Sequence, residues 1–294
     1  MKFISAAAAV GAVIFFIASG ITSINGQNTP CPYDPQTLQF TGTPIEQARC
    51  LLRPNKIGGV LGEQPGSLPK PLEKLIGQKV GIKKEKLERY LLAYESPELI
   101  LGGAIKDPLS SGTLPSGEKL PALYFIIHDT SSPYLGDEEF PAVMDYNSWT
   151  GNILDQWLKQ PVAHVFVNRT GRSITICPFS ETVKSGWGTK FSRDFQKAEG
   201  KGLQLHIELV QPRRRSPGGP PQNDLIAPVP GFTERQYERL ALLYVCASFR
   251  RGTWMIPSYH SAIDAGIKGA HDDPQNFELG KFAEKLNALL KTIK

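Results

Sequence analysis

Thiolate pairs are missing from this sequence. None of its four cysteines forms a CxxC, so a thiolate-held zinc ion has no support. An excess of one charge sign is missing too. The 294 residues carry 33 Lys and Arg against 28 Asp and Glu, a net charge of +5. With no zinc-finger spacing and no aromatic–basic ribonucleoprotein pattern, that balance gives nucleic acid no support as a partner. No internal repeat is present. Histidine is scarce, at five residues, and all five lie beyond residue 121. The first third of the chain therefore offers no imidazole chemistry. Only one long apolar run exists, "FISAAAAVGAVIFFIASGITSI" behind Lys2. A positive start, an apolar stretch and small residues at Ala18, Ser19 and Gly20 predict an export signal over residues 1–23. The run also approaches the roughly 20 residues of a membrane span, so a retained N-terminal membrane anchor is the alternative. No cysteine follows it closely enough for lipid attachment, since Cys31 lies well beyond. Either reading places the body of the chain outside the cytoplasm, in the periplasm or the extracellular space.

What is present reads as ordinary globular protein, 40% hydrophobic and 21% charged, long enough for one core and a small extra region. In an oxidising compartment the cysteines favour Cys31–Cys50 and Cys177–Cys246, each pair staying within one region. Free buried thiols are the alternative for the second pair. Residues 24–35 read as a polar linker. Residues 36–101 predict a small helical region: "TPIEQARCLL" with a capping box at Thr43 and Glu46, then "KPLEKLIGQKV" and "KKEKLERYLLAY" with helical apolar spacing. Residues 102–120 are rich in turn formers and read as a loop.

From residue 121 to 294 strands and helices alternate. "ALYFIIH" is a short apolar strand. "AHVFVNRTGRSITICPF" is two strands joined by a turn at Gly171, and "LQLHIELV" is another strand. "GNILDQWLKQ" predicts a helix, as do "TERQYERLALLYVCASFRR", with a Thr233–Gln236 capping box, and "FELGKFAEKLNALLKTI". The fold class expected is α/β, a central mixed β-sheet flanked by helices. The Pro/Gly-rich stretch 211–231 is a long loop whose Arg213, Arg214 and Arg215 suit either an anionic substrate or a solvated surface.

Chemistry concentrates in three places. His128 closes a buried strand, and ligands gather at the carboxyl ends of strands in open α/β sheets. "YHSAIDAGIKGAHDDPQNF" holds two histidines and three aspartates in a glycine-containing loop before the last helix. His128, His260 and one aspartate would supply three zinc ligands and leave an open position for water. Glu208 interrupts an apolar strand and would serve as a general base beside such an ion. His206 shares its face of the strand.

These segments, in this order over roughly residues 120–280, resemble the zinc N-acetylmuramoyl-L-alanine amidases of the type-2 amidase and peptidoglycan recognition protein superfamily. The resemblance implies one Zn²⁺ on His128, His260 and Asp273, the last being the aspartate before Pro274. The loop is a few residues longer than the common pattern, which keeps Asp272 and His271 open as alternatives for the third ligand. It further implies catalytic roles for Glu208 and Lys268, the latter counted from His260, with His206 and Trp187 as substrate contacts. Trp187 precedes Gly188 where many relatives have histidine. The implied activity is hydrolysis of the amide between N-acetylmuramic acid and L-alanine in peptidoglycan or its fragments. A non-catalytic peptidoglycan-binding protein, or a zinc amidase for another amide, are the rival readings. Asp129 is expected beside the ligands, without being one.

Overall fold

A computed structural model describes residues 30–56, 60–94, 96–184 and 188–293. The N-terminal apolar run and Trp187 lie outside the described residues. Five strands form the central sheet: β1 (Tyr124–Asp129), β2 (Val165–Val167), β3 (Ser173–Thr175), β4 (Gln204–Leu209) and β5 (Ile256–Tyr259), in the order β5-β1-β4-β2-β3. The first four in that order run parallel, and β3 returns antiparallel to β2. The sheet is thus mixed, with flanking helices, as the alternation of elements implies. Every residue of β1 is buried. Its apolar run from Tyr124 to Ile127 is what a parallel sheet covered on both faces requires.

Adjacent residues of β1 show what covers each face, because side chains alternate along a strand. Tyr124 points to one side, where its ring meets Phe40 edge-on and its hydroxyl donates to Gln47 Oε1 at 2.8 Å. Phe125 points to the other side and packs against Tyr244 of helix α3 (Glu234–Arg251). His128 shares the parity of Tyr124. The face that carries it is therefore the one covered by residues 30–52, including helix α1 (Pro44–Leu51), which packs on β5. One continuous core runs from Cys31 to Ile293 and joins these residues to the sheet. Cys31 and Tyr33, from the stretch that reads as linker, are buried in it.

Both expected capping boxes form. Thr43 accepts from Glu46 N–H while Glu46 accepts from Thr43 N–H, and Thr233 and Gln236 do the same for α3. Helix α2 (Lys84–Ala93) and the last helix, α5 (Leu279–Ile293), also form. Gly252, at φ +80°, ends α3 in the left-handed conformation that glycine tolerates best.

Three local expectations are corrected. The helix predicted at 151–160 is instead two 3₁₀ turns, Thr150–Asn152 and Leu154–Trp157. Asn152 explains the break: its amide donates to the carbonyls of Met144 and Tyr146 and its oxygen accepts from Arg169 N–H, so it serves as a tertiary tie between turns. The helix predicted from Lys70 stops after Lys70–Glu73. Beyond it the chain turns through Gly77, whose N–H reaches Trp254 O and where a Cβ would stand 2.7 Å from the Pro44 ring. The Cys31–Cys50 disulfide forms, but Cys177 and Cys246 are free and buried. Cys246 faces the core from mid-helix, and Cys177 Sγ turns towards the carbonyl of Pro178.

Two outcomes test this packing. Thiol titration of the denatured, unreduced protein is expected to find Cys177 and Cys246 reactive and Cys31 and Cys50 silent. Tyr124→Phe leaves Gln47 Oε1 and Phe40 N–H without their buried partner and is expected to lower unfolding stability by about 1–3 kcal/mol, read by denaturant titration.

Candidate metal centre

The register of the parallel strands builds the site. Glu208 of β4 stands opposite His128 of β1, and Tyr259 of β5 stands opposite Ile127. One residue further, His260 leaves β5 beside His128 and opens a single helical turn, α4 (His260–Ile263). The sequence conceals β5 because Pro257 lies within it. Proline is tolerated on edge strands, and β5 is the edge of the sheet. Asp273 arrives from the loop before α5, and its position is fixed by the strand end: the N–H of Asp129 donates to Asp273 Oδ2 at 3.3 Å.

His128 Nδ1 lies 2.9 Å from His260 Nδ1 and 3.5 Å from Asp273 Oδ2, while His260 Nδ1 lies 2.9 Å from Asp273 Oδ1. These three buried residues offer ligand atoms that all fall within 4.8 Å of one another, so the group could hold a metal ion. The donor set fits one, since two imidazole nitrogens and a carboxylate share one small volume and each can accept a cation's charge. Of the alternatives for the third position, Asp272 turns towards Arg213 Nη1, 3.9 Å away. His271 is 59% exposed, its ring over that of His260 and its Nδ1 3.7 Å from Asp273.

Glu208 Oε1 lies 3.8 Å from His128 Nδ1, and Oε2 is buried with no hydrogen-bond partner among the described residues. A buried, unpartnered carboxylate oxygen is costly unless something absent from the bare protein meets it. His206 lies behind His128, almost wholly buried, with Nδ1 3.0 Å from His128 Nε2. Lys268 is exposed on the turn after α4, outside the converging group.

Two residues support the group in ways that the sequence alone did not assign to them. Asp264, buried four residues after His260, accepts from His260 Nε2 at 2.9 Å and from the N–H groups of Lys190 and Phe191. Its i,i+4 spacing from His260 is the signal that could have found it. Arg213, expected either to meet an anionic substrate or to lie on a solvated loop, is instead fully buried in an ion pair with Asp129, Nη2 to Oδ2 at 2.6 Å. Asp129 Oδ2 also accepts from Gln275 N–H at 2.8 Å, so this pair fastens the Asp273–Gln275 turn to β1. Arg214 and Arg215 make ion pairs with Glu139 and Asp137.

Electrostatics follow from crowding. Burial pushes His128 down to about 4, aided by charge on His260. Burial also opposes charge on His260, but Asp273 and Asp264 outweigh it and hold that imidazole well above its usual range. Burial works against the Asp273 carboxylate as well, and there His260 prevails and keeps it well below the usual range. Burial, then the charge of Asp273, pushes Glu208 well above it.

The chain matches no family model and no curated protein. It is similar to a crystal structure of a Se-Met AmpD derivative, at 17% identity and a TM-score of 0.34, over 64% of this chain and 98% of that one. At that level of likeness the site stands on its own geometry.

A raised pKa means that His260 keeps its proton at neutral pH, and a metal ion must displace it. Zinc uptake by metal-free protein near neutral pH is expected to release protons in weakly buffered solution, and zinc affinity is expected to fall as pH drops. Uptake without proton release would contradict the assignment of His260 as a ligand.

Proposed function

We propose that this chain is an exported zinc hydrolase that cleaves the amide between N-acetylmuramic acid and L-alanine in peptidoglycan or its fragments. One observation carries the reading: two imidazoles and a carboxylate converge beside a buried glutamate whose free oxygen has no partner among the described residues. The order of the four sequence motifs, resembling the zinc amidases, narrows the substrate. The apolar N-terminal run supports export, which is where such a substrate lies.

His128, His260 and Asp273 would hold the zinc. When bound, the ion supplies Lewis acidity, polarising the scissile carbonyl and bringing the pKa of a water towards ~7. Glu208 takes the proton of the attacking water on Oε2 and hands it to the departing amine of the stem peptide. Burial and the charge of Asp273 raise its proton affinity, which favours taking the proton from water in the first half of that transfer. Asp273 holds its charge through neutral pH and balances the cation.

The test is release of stem peptide from purified peptidoglycan. Wild type is expected to release it in a zinc-dependent way. Chelation or His260→Ala is expected to abolish release, and Glu208→Gln to slow it by about 10²–10⁴-fold with zinc still bound. Full activity in His260→Ala would sink the zinc assignment. Tight binding of the polymer with no release by wild type would instead establish the non-catalytic alternative.

A further inference from the structure

Each ligand imidazole has two nitrogens, and only one can face an ion. Which one does so depends on the hydrogen bond made by the other. Both histidines of this site have that bond on Nε2, each to a different buried partner. His260 Nε2 meets Asp264 Oδ2 at 2.9 Å. Asp264 can only accept when ionised, and its oxygens already take Phe191 N–H at 2.8 Å on Oδ1 and Lys190 N–H at 3.0 Å on Oδ2. His260 Nε2 must therefore be a donor, which leaves Nδ1, beside Asp273 and His128, as the nitrogen that gives up its proton to face an ion.

His128 Nε2 meets His206 Nδ1 at 3.0 Å. His206 is itself held in place: its ring stacks on His164 at 5.7 Å, and its backbone N–H donates to His164 Nδ1 at 2.9 Å. On its other side, a Cβ at Gly188 would stand 2.8 Å from His206 Nε2. If His206 accepts on Nδ1, His128 donates from Nε2 and also presents Nδ1 inward. The short stretch from Gly188 to Phe191 thus touches both outer partners, His206 by contact at Gly188 and Asp264 through two backbone N–H groups.

We propose that Asp264 and His206 are positioning residues that set the tautomers of His260 and His128, so that both present Nδ1 to the ion, with residues 188–191 bracing the two. This rests on the metal reading above. It assigns His206 a place behind the metal, not a contact with substrate.

Two readouts test it, zinc affinity by competition with a chromophoric chelator and long-range ¹H–¹⁵N spectra of zinc-loaded protein with ¹⁵N-labelled histidine. In wild type, both ligand imidazoles are expected to show a metallated Nδ1 and a protonated Nε2. Asp264→Asn puts an amide N–H against either His260 Nε2 or a backbone N–H. It is expected to weaken zinc binding ~10–100-fold, the usual cost of losing an outer partner. His206→Leu is expected to do the same, while His206→Asn, which keeps an acceptor near Nδ1, retains most of the affinity. Far-UV circular dichroism checks folding, and if Asp264→Asn does not fold, the His206 pair and the wild-type spectrum decide. Unchanged affinity in His206→Leu, equal losses in His206→Leu and His206→Asn, or a metallated Nε2 in wild type would overturn the proposal while leaving the metal reading intact. A wild type that takes up no zinc overturns the metal reading itself and this inference with it.

Discussion

Glu208 faces His128 because Gln204–Leu209 runs parallel to Tyr124–Asp129 in one fixed register, and His260 arrives beside them because Ile256–Tyr259 runs parallel on the other side. That pairing is the constraint on which the site depends. A slip of one residue in either neighbour would turn its side chains to the opposite face. The carboxylate or the second imidazole would then be buried among apolar groups with nothing to meet. The core prevents the slip. Tyr124, Ile126 and His128 share a face with Gln204, His206 and Glu208, and residues 30–52 cover that face near Tyr124 while the 188–196 stretch closes over Gln204. The N-terminal residues thus share a core with the sheet face that carries the candidate metal centre.

Burying so many polar groups in one place is unfavourable unless charge is balanced and every lone pair is met. The bare protein manages this only in part. Asp264 is saturated, and the Arg213–Asp129 pair is closed off from solvent and ties the Asp273–Gln275 turn to the strand end. The facing nitrogens of His128 and His260, 2.9 Å apart, still require a positive charge between or beside them. A proton held on His260 supplies it when no metal is bound. Glu208 Oε2 has no such relief. Glu208 Oε2 is one of several buried side-chain atoms without a partner among the described residues, with Gln211 Oε1, Arg213 Nε and Ser261 Oγ, and it is the carboxylate oxygen that stands beside His128.

Much of this was legible in the sequence. The strand Tyr124–Asp129 showed as an apolar run that ends in His128 and Asp129, and Gln204–Leu209 as a strand whose apolar positions alternate with Gln204, His206 and Glu208. Both capping boxes read correctly because they are local chemistry. What stayed hidden was tertiary. Pro257 disguised an edge strand as loop, so the reason His260 stands next to His128 could not be seen. Arg213 looked like one of three solvated arginines until the fold buried it against Asp129. Asn152 broke a helix that its neighbours favoured, by reaching across to Met144, Tyr146 and Arg169. Asp264 stood in the sequence as one of the loop's three aspartates with nothing to mark its role except its four-residue spacing from His260.

The central claim is that His128, His260 and Asp273 hold one metal ion. Anomalous diffraction at the zinc edge, from crystals of protein loaded with zinc, tests it most directly. The account predicts a single strong peak at about 2.0–2.2 Å from His128 Nδ1, His260 Nδ1 and a carboxylate oxygen of Asp273. No peak there, or a peak held by other residues, would contradict it.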